Sequence, residues 1–314
     1  AEQQQDQKLP KFFHTLVPPE KPKCTWISGD FGSGKSHLLK ILSYVLENKY
    51  EIDGKPCAEI FASKAEDFEL RGDIQKACRI PTESVLFNIQ EKLDATTKST
   101  IDPVLNIFVK EFNRKMGYDD KKPEIAEIER YFDNKGKYEF FKEEYQKRFS
   151  ETWENGRKSI LLKLQRVAGI MAEIDGIPQA TAFDNIKAQI ANYKIDTDGF
   201  VALIKEHLDK QQPGSRFIFF VDEVGQFIGK DVHRMLSLQT IAEDLSDKTN
   251  GQSIVIVTSQ MDIDATLGNL DKQQEYDFSR IQGRFDTRIS LTSANADEVI
   301  QRRLLEKEEE PQQM

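Results

Sequence analysis

Two hydrophobic rhythms alternate along the chain. Short apolar runs close on polar or turn-forming residues at 24–28, 84–89, 216–221 and 253–258, with a final one at 287–291. Continuous runs of this length predict strands of a parallel sheet covered on both faces. Between 90 and 215 no other good strand pattern occurs, and helical period takes over. Val104, Leu105, Phe108, Val109 and Phe112 share one face of a helix predicted over 101–116. Pro123 opens another, over 123–132, with Ile125, Ile128 and Phe132 at helical spacing. Residues 138–149 carry an aromatic stripe, Phe141, Tyr145 and Phe149, and one longer helix is expected over 153–174. Helices over 180–193 and 199–208 complete this set.

Outside that region, Leu9, Phe12, Phe13 and Leu16 form a short helical face, and Pro18, Pro19 and Pro22 force an extended link into the first strand. A helix running to about Asn48 precedes a turn at Asp53-Gly54-Lys55. Another helix spans about 231–245 and is followed by an Asn250-Gly251 turn. A last helix, capped near Ser293 or Asn295, runs to Leu305. The pattern divides into a helix and linker (1–23), a first part of an α/β core (24–89), a mainly helical insertion (90–215), a second part of the core (216–305) and a polar tail (306–314). The aromatic stripes of the insertion read as its own core, or else as partner grooves. Its alternating acidic and basic residues read as a solvated surface.

The first strand runs into Gly29-Asp30-Phe31-Gly32-Ser33-Gly34-Lys35-Ser36, and a helix beginning His37-Leu38-Leu39 follows. Strand, G-x-x-x-x-G-K-S and helix in that order make a phosphate cradle. Glycines let successive N–H groups point inward, and the helix adds its positive end. Lys35 is placed to reach the β and γ phosphates of ATP, and the Ser36 hydroxyl to hold Mg²⁺. His37 abuts the loop and reads as a helix-face residue.

The run at 216–221 ends in Asp222-Glu223. Its strand is expected beside the glycine-loop strand, so that Asp222 shares the Mg²⁺ with Ser36 while Glu223 polarises an attacking water. Two carboxylates favour hydrolysis over phosphoryl transfer to a small molecule. Should the strand at 253–258 lie between those two, one of Thr258, Ser259 and Gln260 would come near the γ-phosphate, with Gln260 as the candidate. Asn88, ending its own strand, is a candidate to hydrogen-bond Glu223 and hold it inactive. Arg280, Arg284 and Arg288 recur every four residues; Arg284 is the candidate finger for transition-state charge supplied from a neighbouring subunit.

A net charge of −9 argues against a globally basic nucleic-acid binder. Cys24, Cys57 and Cys78 form no C-x-x-C pair and read as thiols in a reducing compartment. His14, His37, His207 and His233 show no metal-ligand spacing. No apolar run approaches the roughly 20 residues of a membrane span, and the first residues lack a signal-peptide pattern. A cytoplasmic protein is expected.

Together the glycine loop, the Asp-Glu strand, the polar strand end and the Arg-Phe segment before the last strand resemble an AAA+ ATPase domain. Longer strings resemble the BrxC family, the large P-loop ATPases of the BREX phage-exclusion systems of bacteria. They are Gly-Asp-Phe-Gly-Ser-Gly-Lys-Ser-His-Leu-Leu-Lys-Ile-Leu-Ser-Tyr (29–44), Val-Asp-Glu-Val-Gly-Gln-Phe-Ile-Gly (221–229), Val-Thr-Ser-Gln-Met-Asp-Ile-Asp-Ala (257–265) and Asp-Phe-Ser-Arg-Ile-Gln-Gly-Arg-Phe (277–285). Glu129-Arg130-Tyr131-Phe132-Asp133 fits the family's helical insert.

The resemblance covers most of 24–305. It implies an α/β P-loop NTPase fold, AAA+-like, with a parallel sheet flanked by helices and a large α-helical insertion. It also implies an ATP- and Mg²⁺-dependent hydrolase, assembly-dependent and weak in an excised N-terminal fragment of a longer chain. Lys35, Ser36, Asp222 and Glu223 carry over from the family motifs. The implied partners are other BREX components, among them a DNA methyltransferase and a phosphatase-like protein. Further copies of the chain are also implied, with DNA reached indirectly or through other domains and no membrane. Phe31 stands where AAA+ loops often carry proline, and the chain ends before the usual small helical lid. A slow or non-hydrolysing nucleotide-dependent scaffold is the alternative reading.

Overall fold

The computed structural model describes residues 8–18, 20–92, 102–228, 231–260, 285 and 287–291. The chain divides into two compact units, one formed by 1–105 with 197–314 and the other by 106–196.

The first unit is α/β. Helix α1 (Lys8–Thr15) precedes β1 (Thr25–Gly29) and α2 (Lys35–Glu47). Phe12 and Phe13 of α1, with Leu16 just beyond it, are buried as their spacing predicts. A two-stranded hairpin, β2 (Glu51–Ile52) and β3 (Lys55–Pro56), turns on Asp53 and Gly54, both at positive φ. Helices α3 (Cys57–Ser63) and α4 (Phe68–Cys78) then lead to β4 (Thr82–Asn88). Asp67 caps α4 by accepting from the Glu69 N–H at 2.8 Å. Neither helix stands out in the sequence pattern, where short amphipathic pieces between turns leave a weak signal.

Helix α5 (Pro103–Lys115) starts in this unit and continues into the second. The second unit holds α6 (Pro123–Asn134), α7 (Tyr138–Phe149), α8 (Trp153–Gly156), α9 (Leu164–Asp175) and α10 (Gln179–Asn192). Its core is aromatic. Phe132 stacks on Phe141 at 4.2 Å, and Phe141 and Tyr145 both meet Trp153 edge-on, at 4.8 and 5.3 Å. The stripe on α7 is therefore core packing, with Phe149 at its margin.

The single helix expected over 153–174 is instead broken. A 3-10 segment, Arg157–Leu162, separates α8 from α9, and Ser159 within it is non-helical at φ −116°. Gly156 faces the Tyr145 ring so closely that an added Cβ would lie 2.4 Å from the phenol oxygen. The break follows this packing, which helical periodicity does not encode.

The solvated-surface reading of the insert's charges also needs correction. Glu129 is fully buried and Arg130 is nearly so. The Glu129 carboxylate accepts from Tyr138 Oη at 2.9 Å, Trp153 Nε1 at 2.6 Å, Arg157 Nη1 at 2.8 Å and the Asp119 N–H. A buried carboxylate persists only when its lone pairs are met in this way.

The chain re-enters the first unit through α11 (Thr197–Asp209), β5 (Arg216–Asp222), α12 (Val224–Ile228), α13 (Val232–Lys248), β6 (Ser253–Ser259) and β7 (Thr287–Leu291). The five long strands form one sheet in the order β4-β5-β6-β1-β7, and every neighbouring pair is parallel. Helices flank it, with α2 against β1, β4, β5 and β6, α11 against β5, and α13 against β6. β6 is buried along its whole length and β5 as far as Val221, as continuous apolar runs require.

One expectation is overturned here. The acidic strand β5 does not lie beside the glycine-loop strand β1, because β6 stands between them. Parallel strands joined by helical crossovers need not be neighbours in the order in which their motifs are read. Among the described residues no helix is long and apolar enough to cross a membrane.

Candidate active site

All five parallel strands end at the same edge of the sheet, where ligands of open α/β sheets bind. β1 delivers Gly29 there, β5 delivers Asp222 and β6 delivers Ser259. Ile27 pairs with Thr258, and Val221 with Val257, which brings Asp222 level with Thr258.

Backbone requirements build the loop after β1. Gly32 and Gly34 sit at φ +82° and +86°, a region L side chains enter at a cost of about 1–2 kcal/mol. At Gly29 the constraint is space, since an added Cβ would lie 2.5 Å from the Leu291 carbonyl oxygen. Gly34 caps α2 in the left-handed conformation, so the first free N–H groups of that helix face the loop. Lys35 is buried, and its Nζ donates to the Asp30 carbonyl at 2.8 Å. Ser33 is also buried, its Oγ without a hydrogen-bond partner. Asp30 and Phe31 are exposed at the loop's tip, Phe31 almost fully, and His37 is exposed on the first turn of α2.

Opposite the loop, three donors converge on one oxygen. Asp222 Oδ1 accepts from Ser36 Oγ at 3.1 Å, from the Glu223 N–H at 3.2 Å and from Thr258 Oγ1. Glu223 has φ +61°, unusual for a residue with a side chain, and its carbonyl opens the short helix α12. Its Oε2 is buried with no hydrogen-bond partner. A buried carboxylate oxygen without a partner is uncommon, and here it follows directly on Asp222 in the chain.

The remaining candidates fall elsewhere. Asn88 pairs in register with Asp222 but does not bond Glu223; its Oδ1 accepts from the N–H groups of Gln90 and Glu91 at 3.0 and 3.4 Å, closing the turn after β4. Gln260 lies half-buried just past β6, and it is Thr258 that contacts the acidic pair. Arg280 and Arg284 lie outside the described residues. Arg288 lies within β7 beside Trp26, and Phe285 packs edge-on against that Trp26 ring at 5.4 Å.

Gly225 is not among the residues that the sequence pattern singles out. An added Cβ there would fall 2.1 Å from Ser259 Oγ, so the missing side chain lets α12 close onto the end of β6. A glycine two residues after the acidic pair is a signal for such close approach.

The site suits a hard divalent cation. Its protein donors are a hydroxyl and a carboxylate, both oxygen, and Mg²⁺ commonly takes few protein ligands and fills the rest with water and phosphate oxygens. Among the described residues no cluster of three or more histidines, cysteines or carboxylates offers a fuller metal cage. No protein-family profile matches the chain, and no solved structure matches it.

Proposed function

We propose that the chain is an ATP-binding and hydrolysing module with an AAA+-like P-loop fold. The observation that carries the proposal is the Ser36–Asp222 hydrogen bond, which brings the hydroxyl of the glycine loop to the carboxylate of a strand two places away in the sheet. That pair would hold Mg²⁺, directly or through water. The loop N–H groups, the α2 N-terminus and Lys35 bind the phosphates. Lys35 would exchange its bond to the Asp30 carbonyl for phosphate oxygens, a substitution of one charge-assisted bond for stronger ones. Glu223, with its bare Oε2, takes the proton from the attacking water. Mg²⁺ supplies charge neutralisation at the phosphates.

The long strings that resemble the BrxC family support the further reading that the module belongs to a bacterial anti-phage BREX complex. There it uses ATP to drive or gate assembly on DNA together with partner proteins and further copies of itself.

Calorimetric titration of ATP with and without Mg²⁺, comparing the wild type with Lys35→Ala, tests the binding half of this reading. Mg²⁺-dependent binding that the substitution weakens by at least about tenfold is expected from the loss of a buried charge-assisted contact. Equal binding by both proteins would contradict the reading.

A further inference from the structure

Thr258 lies one residue before the end of β6, a strand that touches both halves of the site. β6 pairs with the glycine-loop strand on one side and with the acidic strand on the other. The Thr258 side chain is fully buried, and both capacities of its hydroxyl are in use. Oγ1 accepts from the Glu223 N–H at 3.1 Å and donates to Asp222 Oδ1. The same N–H also points at Asp222 Oδ1, so the hydroxyl, the carboxylate and the peptide between Asp222 and Glu223 form a closed ring of hydrogen bonds.

That peptide leads into an unfavourable conformation, Glu223 at φ +61°. Two residues later Gly225 lies so close to Ser259 that an added Cβ would fall 2.1 Å from its Oγ, so the chain is held to β6 on both sides of the turn. With three donors on Oδ1, the other oxygen of Asp222 takes no hydrogen bond among the described residues, and Glu223 Oε2 likewise stays unpaired.

We propose that Thr258 is a positioning residue: its hydroxyl locks the Asp222–Glu223 turn in the left-handed form, turning Asp222 toward the metal and leaving Glu223 free for water. This role rests on reading the site as a Mg²⁺–nucleotide centre. It differs from contact with the phosphate itself, because the hydroxyl's donor is already committed to Asp222. Loss of the hydroxyl therefore acts on metal binding and turnover and spares metal-free nucleotide binding.

The test compares the wild type, Thr258→Val and Thr258→Ser in the full chain. Three readouts are taken: Mn²⁺ binding in the presence of ATP by electron paramagnetic resonance, nucleotide binding without metal, and kcat and KM for Mg-ATP. Removal of a group that orients a metal ligand weakens metal affinity or activity by about 10–100-fold, and that loss is expected of Thr258→Val in both Mn²⁺ affinity and kcat. Metal-free nucleotide binding stays near wild type, KM for Mg-ATP rises in step with the lost metal affinity, and Thr258→Ser restores these losses.

A valine variant with wild-type Mn²⁺ affinity and kcat overturns the role, as does a serine variant as impaired as the valine one. Should the valine protein not fold, Thr258→Ala against Thr258→Ser reads the same contrast. A wild type that binds no Mn²⁺ with ATP overturns the site reading itself, and the wild-type arm separates that outcome from a failure of Thr258 alone.

Discussion

Ser36 Oγ donates to Asp222 Oδ1 across 3.1 Å, joining residues 186 positions apart in the chain. Neither partner needs the other for packing, since the bond is exposed. Ser36→Ala and Asp222→Asn are therefore expected to leave the melting temperature of the ligand-free protein nearly unchanged. Both should abolish the extra stabilisation that Mg²⁺ adds to bound ATP. For a ligand at a hundred times its Kd the total linkage is about 2.7 kcal/mol, well within reach of thermal denaturation followed by fluorescence.

Two glycines of the site make a graded pair. At Gly29 an added Cβ would meet the Leu291 backbone carbonyl, which cannot turn aside; at Gly225 it would meet Ser259 Oγ, a short side chain able to rotate. Gly29→Ala is expected to destabilise the fold by more than Gly225→Ala, whose cost falls within the roughly 1–3 kcal/mol of ordinary overpacking. Urea denaturation of both variants checks the order. Equal losses would mean that the loop backbone gives way.

Much of this architecture was legible in the apolar runs, because a strand buried on both faces must be continuously hydrophobic. The runs at 216–221 and 253–258 became β5 and β6 almost residue for residue. Strand order was not legible, since a β6 that follows β5 in sequence can lie on either side of it. For the same reason the sequence could list Thr258, Ser259 and Gln260 as polar groups at a strand end but could not choose among them. The choice depends on Val221 pairing with Val257, a register that only the folded sheet defines. Burial of Glu129 is not legible either, because a Glu-Arg pair on a helix reads as surface until Tyr138, Trp153 and Arg157 close around it.

Glu129 organises the helical unit. Glu129→Leu leaves the donors of Tyr138, Trp153 and Arg157 facing an apolar group, and breaking a buried pair of this kind costs about 3–5 kcal/mol. Trp153 is itself buried in the same cluster. An early red shift of its fluorescence in denaturant is expected for Glu129→Leu, while Glu129→Gln, which keeps an acceptor, loses less. Indistinguishable transitions for the two variants would contradict the role.

Arg148 holds the carboxyls of Glu144 and Glu173 below the usual carboxylate range through its hydrogen bonds to both. Depressed groups contribute stability that is present above their unfolded pKa and lost as pH falls through the folded value. The melting temperature of Arg148→Met should lie below that of the wild type at neutral pH and converge with it as the pH falls through the lowered carboxylate range. A gap that persists in acid would assign the loss to packing.

Burial pushes the Cys78 thiol up to about 12, whereas Cys57 is half-buried. Cys24 is buried, donating to the Ala242 carbonyl and accepting from the Val255 N–H. A disulfide reagent at pH 8 should label Cys57 in the native protein and reach Cys24 and Cys78 only as the fold opens. Early labelling of Cys78 would show that α4 is loosely held.

Phosphate release from Mg-ATP, per protomer and over a wide range of protein concentration, tests the central claim most directly. Glu223→Gln serves as the control. Release is expected that the glutamine variant loses by about 10²–10⁴-fold while still binding ATP, with a rate per protomer that rises with concentration. Binding of ATP with no Glu223-dependent release at any concentration would contradict hydrolysis at this site and leave a nucleotide-gated scaffold in its place.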